Sequence, residues 1–124
     1  MIGYVTLGTN DLEATAKFYD ALLDVIGAKR MMEEDNFVAW ATTQEAPSIA
    51  ATKPFDGQPA TVGNGVMVAL AVDSPDMVDK LHARAIELGG VDEGAPGPRG
   101  EGGFYAGYFR DPDGNKLNAF CMVQ

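Results

Sequence analysis

A chain of 124 residues with 46% apolar content has the size and composition of one globular domain with a single core. Eighteen Asp and Glu against nine Lys and Arg leave a net charge of −9. Such a surface repels phosphate backbones, which argues against nucleic acid as a partner, and no apolar run approaches the roughly 20 residues that span a bilayer, so no membrane is expected.

The chain opens on a β-rich run, Ile2 to Leu7. No basic region followed by an apolar stretch precedes it, so no signal peptide is expected. Asn10 then offers a helix N-cap, with Glu13 as its capping-box partner. Leu12, Ala16, Tyr19, Leu22, Leu23 and Ile26 recur at helical spacing, and Gly27 ends the helix. Glu33-Glu34-Asp35 reads as a solvated turn. Phe37–Ala41 and Ile49–Thr52 follow as strands, and the stretch from Pro54 to Gly65 as a loop joining two halves. In the second half Val66, Val68, Leu70 and Val72 alternate with Met67, Ala69 and Ala71, the pattern of a half-buried strand. Asp73 or Ser74 caps a second helix with Pro75 in its first turn; Val78, Leu81, Ala85 and Leu88 form its apolar stripe, and Gly89-Gly90 ends it. A loop rich in glycine and proline, Gly94 to Gly103, leads to a hairpin. Its strands, Tyr105–Phe109 and Leu117–Val123, flank Asp111-Pro112-Asp113-Gly114, where Pro112 presets φ and Gly114 permits a positive one. Cys121, the single cysteine, closes no intramolecular disulfide, which fits a reducing cytoplasmic location; in an alternating strand it reads as a buried, inert thiol.

The two halves echo each other. Tyr4 and Met67, Asn10 and Asp73, Phe18 and Leu81, and Gly27 and Gly90 all stand 63 residues apart (67 − 4, 73 − 10, 81 − 18, 90 − 27). The expected organisation is therefore a single α+β domain, residues 1–124, made of two β-α-β-β-β modules at about 1–58 and 65–124.

Several segments in this order carry a resemblance: Tyr4-Val5-Thr6-Leu7-Gly8, Phe18-Tyr19, Thr52-Lys53-Pro54-Phe55-Asp56-Gly57, Gly63-Asn64-Gly65, and the closing hairpin from Tyr108 to Asn118. Together they resemble the vicinal oxygen chelate (VOC) superfamily of glyoxalase I, extradiol dioxygenases and bleomycin-resistance proteins. The resemblance implies two βαβββ modules whose curved mixed sheets surround a common cavity, with helices outside. It also implies a homodimer, in which the Gly63–Gly65 link lets modules of two chains pair. Enzymes of the family hold a divalent metal with a histidine or glutamine on the first strand, a histidine opening the strand of the second half, and a glutamate on the last strand. Those positions correspond here to Tyr4, Met67 and Asn118. Residues 46–55, where a fourth ligand would stand, contain no Asp, Glu or His. Phenol, thioether and carboxamide are poor donors for such an ion, so no metal cofactor is expected.

Strand alternation turns Tyr4 and Thr6, then Met67, Ala69 and Ala71, then Asn118, Phe120 and Met122 toward the cavity. Pairing Arg110 with Lys116 sets Tyr108 opposite Asn118. The candidate ligand-binding residues are therefore Tyr4, Met67, Tyr108, Asn118, Phe120 and Trp40, with Arg99 reaching over the mouth from its loop. The same residues could instead fill a core. His82, the single histidine, reads as a solvated helix residue near Asp79 and Glu87. The inferred cavity is aromatic and contains no lysine, so neutral or cationic aromatic ligands are expected to bind best. The expected function is binding or sequestration of a small organic molecule without a metal, with no catalytic residue assigned. The alternatives are a metal-dependent lyase, isomerase or dioxygenase with atypical ligands, and a structural or ligand-sensing dimer.

Overall fold

A computed structural model describes all residues, 1–124. Its elements run in the order β1 (Tyr4–Gly8), α1 (Leu12–Asp24), β2 (Lys29–Glu34), β3 (Phe37–Ala41), β4 (Ser48–Thr52), β5 (Val68–Ala71), α2 (Pro75–Glu87), β6 (Val91–Pro98), β7 (Phe104–Arg110) and β8 (Lys116–Met122). This is the α+β pattern of two βαβββ modules. The helices begin and end 63 residues apart (75 − 12 and 87 − 24), so the internal repeat is structural. Each module builds one four-stranded mixed sheet, ordered β1-β4-β3-β2 and β5-β8-β7-β6. The first and last strands of each module pair in parallel and the others antiparallel.

Local chemistry explains the element boundaries. Helix α1 is capped by Asp11, whose carboxylate accepts from the Ala14 amide at 3.1 Å, not by Asn10. An anion at this position also complements the helix dipole. Asn10 instead bonds both backbone groups of Ala60, tying down the inter-module loop. Helix α2 is capped by Ser74 and carries Pro75 in its first turn. Glu33 and Glu34, expected in a turn, belong to strand β2, and only Asp35 lies in the turn. Every residue of β2 is exposed, so the strand has no buried alternation to read; backbone pairing to β3 defines it. The first part of the expected Gly94–Gly103 loop is also strand. β6 reaches Pro98 through two register shifts, at Asp92/Gly94 and Gly94/Gly97, which accommodate glycine and proline at a sheet edge. β5 starts at Val68, leaving Val66 and Met67 exposed before it.

The helix-facing sides of both sheets merge into one core. Leu7, Tyr19, Leu22, Leu23 and Trp40 from the first module join Val78, Leu81, Phe109, Leu117 and Ala119 from the second. α1 and α2 meet, whereas no Cα of one sheet comes within 8 Å of a Cα of the other. The expected pair of mixed sheets with their two helices is present, and the single chain does not close them into a barrel. The apolar helix stripes join inside the chain, and the opposite face of each sheet is left open.

A polar latch fixes this arrangement. The hairpin turn is closed by Asp111 N–H to Asn115 O and Gly114 N–H to Asp111 O, both 2.9 Å, with Gly114 at φ 91°. The Asp111 carboxylate, 2% exposed, accepts from the amides of Asp113 and Asn115, from the Asn115 side chain, and from the Tyr19 hydroxyl of the other module. Asp113 accepts from Thr15 Oγ1 at 2.6 Å and from the Asn10 amide at 3.0 Å. Asn115 donates to Gly8 O at 2.9 Å. Turn residues of the second module thus bond strand, loop and helix of the first.

Candidate functional site

The open face of the second sheet carries the densest set of candidate residues. Period-two alternation sends Leu117, Ala119 and Cys121 into the core and turns Lys116, Asn118 and Phe120 to the opposite face. The hairpin register pairs Arg110 with Lys116 and Tyr108 with Asn118. Asn118 is 1% exposed, and its Oδ1 has no hydrogen-bond partner. A buried acceptor left unpaired costs stability and is a site where a ligand's donor gains. Next to it, Phe120 stacks on Phe104 with ring centroids 5.5 Å apart.

The face is not neutral. The Lys116 ammonium lies 5.5 Å from the Tyr108 ring centroid, and the Arg99 guanidinium 5.4 Å from it. Arg99 is held by the carbonyls of Ala95 at 2.7 Å and Gly97 at 3.0 Å. Lys116 closes the strand pair two residues before Asn118 and so shares its face, a consequence of alternation that the sequence reading missed. The expectation of a site without lysine is corrected: Lys116, with Arg99, stands beside the Tyr108 ring.

The remaining candidates lie elsewhere. Tyr4 is 64% exposed on the open face of the first sheet, beside a hollow of about 420 Å³ that it shares with Met31, Met32, Phe37 and Ala39. Met67 lines a groove of about 480 Å³ with Ile2, Val5, Ile26 and Leu70. Trp40 borders that groove, yet it is a core residue and not part of an open sheet face: it is 1% exposed and tilted against Tyr19 at 5.4 Å. Its indole N–H donates to Asp20 Oδ1 at 2.8 Å. In β3 the helix-facing positions are Val38 and Trp40, and the bulk of the indole fills the space under α1.

His82 is buried, not solvated. Its Nε2 lies 3.1 Å from Asp92 Oδ1 and 3.1 Å from Tyr108 O, so it braces β6 and β7 from beneath the site. The signal was present in the spacing Val78, His82, Ala85, which extends the buried stripe of α2. The Asp92 carboxyl is held below its ordinary value, first by the Gly94 amide and then by His82.

The positions that would hold a divalent ion do not fit one. Within one chain Tyr4 stands on the first sheet, Asn118 on the second, and Met67 beside a groove between the modules. A phenol, a thioether and a carboxamide oxygen also lack the charge and imidazole nitrogen that such a centre uses.

The fold defines a class. The profile of the Glyoxalase/Bleomycin resistance protein/Dioxygenase superfamily matches residues 1–119, and the chain belongs to that superfamily. It is similar to a glyoxalase/bleomycin resistance protein from Albidiferax ferrireducens T118, with 39% identity, TM-score 0.90 and 99% of each chain covered. At 20% identity and TM-score 0.76, a glyoxalase/bleomycin resistance protein/dioxygenase family enzyme from Burkholderia phytofirmans PsJN shares the fold over 98% of each chain. So does a lactoylglutathione lyase from Agrobacterium tumefaciens, at 22% identity and TM-score 0.70, over 98% of this chain and 92% of that one. No curated protein matches the chain. No helix is long and apolar enough to cross a membrane.

Proposed function

We propose that this protein binds and sequesters a small organic molecule without a metal, and that its binding sites are completed by a second copy of the chain. The observation that carries the reading is the open face of the second sheet. There Tyr108, Asn118, Phe120 and Arg99 converge around an unpaired buried acceptor, with no carboxylate or imidazole ligand for a metal. Such a face orients a ligand by hydrogen bonds and ring contacts and supplies no strong acid, base or nucleophile.

The strand topology supports a second copy. β1 pairs only with β4 and β5 only with β8, so each module ends in a free strand edge. Exposed apolar residues flank those edges: Ile2, Tyr4, Val66 and Met67. Open edges with apolar rims favour pairing with another chain. A C₂ homodimer would set the first module of one protomer against the second module of its partner and turn two open faces into a shared cavity.

The test is a thermal-shift screen of neutral, anionic and cationic small molecules on chelator-washed protein, since a ligand that binds only the native state raises the melting temperature. Hits that persist without metal support the reading. A shift, or turnover, that appears only after a divalent ion is added would overturn it in favour of a metal-dependent enzyme with atypical ligands.

A further inference from the structure

The chain is strongly acidic, and most of its cations are already matched. Lys17, Lys29, Arg30, Arg84 and Arg110 each lie within ion-pair distance of a carboxylate. Lys53 and Lys80 are exposed. Arg99 and Lys116 differ from both groups: they are half-buried, have no acidic partner, and converge on one tyrosine ring. Arg99 reaches Tyr108 from the β6 side, where it lies over Gly94; Lys116 reaches it from β8. An anion brought to this corner would gain charge-assisted contacts from cations that no carboxylate yet occupies.

Along the same face of β8 the next side chains continue the pattern. Lys116, Asn118 and Phe120 stand about 6–7 Å apart, as alternate residues of a strand do. They present, in order, a cation, a buried oxygen needing a donor, and an aromatic ring already stacked on Phe104. A complementary ligand carries an anionic head, then a hydroxyl or N–H, then an apolar ring.

Resting on the small-molecule reading above, we infer that the Arg99–Tyr108–Lys116 corner is an anion subsite, and that the ligand of this face is a short hydroxy acid with an aromatic tail. Its carboxylate pairs with a cation at the edge of the Tyr108 ring, its hydroxyl lies on the Asn118 side, and its ring packs on Phe120.

The probes are phenyllactate, its uncharged-head counterpart phenyllactamide, hydrocinnamate, which lacks the hydroxyl, and phenethylammonium of opposite charge. Each is titrated calorimetrically against the wild-type protein, Lys116→Gln and Lys116→Arg. The Lys116 side chain makes one contact, with the Tyr108 ring, so the Gln variant removes the charge and that contact together; unchanged circular dichroism checks that the fold is kept. Phenyllactate is expected to bind about tenfold more tightly than phenyllactamide, the value of one charge-assisted contact. Hydrocinnamate should fall between phenyllactate and phenethylammonium. Lys116→Gln should bring phenyllactate to the phenyllactamide level while leaving phenyllactamide unchanged, and Lys116→Arg should retain the preference. The inference is overturned if the amide or the ammonium binds as well as the acid, if Lys116→Gln weakens both heads equally, or if phenyllactate does not bind. The broader reading falls separately, when the mixed small-molecule screen yields no hit at all; a neutral or cationic hit without phenyllactate binding removes only the anion subsite.

Discussion

The Tyr19 hydroxyl donates to Asp111 Oδ2 across 2.6 Å, joining the first helix to the last hairpin turn over 92 positions of sequence. Tyr19 is 1% exposed and Asp111 2%, so the bond is made away from water, where a charge-assisted contact is strongest. It makes the relative placement of the two modules depend on one phenol.

Replacing that phenol tests the latch. Tyr19→Phe keeps the ring against Phe18 and Trp40 but leaves the Asp111 carboxylate one donor short. The expected loss is about 1.5–3 kcal/mol of unfolding free energy, the range for hydrogen bonds to charged groups. Urea denaturation of the two proteins measures it. Equal midpoints would show that the modules are held by apolar packing alone.

The same bond sets an alkaline limit. Burial, then the neighbouring Asp111 charge and hydrogen bond, push the Tyr19 hydroxyl well above its ordinary value of 10.0. A raised value in the folded state means that the unfolded chain releases its proton first. The stabilisation is complete below the ordinary value and declines as pH rises past it. Unfolding free energy should therefore fall above that pH in the wild type and fall less in Tyr19→Phe, with the missing phenolate absorbance appearing only on unfolding.

At the acid end the reporter is Trp40, the single tryptophan. Asp20 accepts from Arg30 at 2.7 and 2.8 Å and from the Trp40 indole at 2.8 Å. The Arg30 bond first, and the Trp40 bond with it, hold the Asp20 carboxyl below 3.8 against the opposing effect of partial burial. A depressed carboxyl contributes stability above its ordinary value and loses it as pH falls through the lower, folded one. Trp40 emission should thus stay constant through the ordinary carboxyl range and change only in stronger acid. Asp20→Asn should remove that step.

Chelator-washed protein without an affinity tag is expected not to regain stoichiometric zinc, nickel, manganese or iron on reconstitution, because Tyr4, Met67 and Asn118 supply no anionic or imidazole donor. Elemental analysis decides it. About one ion per chain, lost in Asn118→Ala, would overturn the metal-free reading.

Light scattering at micromolar concentration should give twice the mass of one chain. A charge at the rim of the free β5 edge should oppose association there, so Met67→Lys is expected to shift the population toward single chains and to weaken ligand binding in parallel. A monomeric wild type that binds ligand at full strength would place the site within one chain.

Much of the architecture was legible without coordinates. Helical spacing, the Ser74 cap of the second helix, the Asp-Pro-Asp-Gly turn and the 63-residue echo are local or periodic signals, and each corresponds to an observed element, whereas the cap of the first helix is Asp11 and not Asn10. Alternation along the last strand fixed which side chains face the core, and the pairing of Tyr108 with Asn118 followed from the turn. Strand β2 was not legible, because an exposed edge strand has no buried face and is defined by its partner's backbone.

The site was legible as a face and illegible as an assembly. That Asn118, Tyr108 and Phe120 share a surface is a matter of strand period and hairpin register, which the sequence determines by itself. Only the tertiary structure decided that Trp40 belongs to the core, that His82 braces β7 from below, and that the helices bring the modules together while the open faces stay apart. These depend on which apolar surfaces meet across more than 60 residues of chain and on the bond from Asp111 to Tyr19. Burial and long-range hydrogen bonds are properties of the packed pair of modules, and no window of sequence contains both partners.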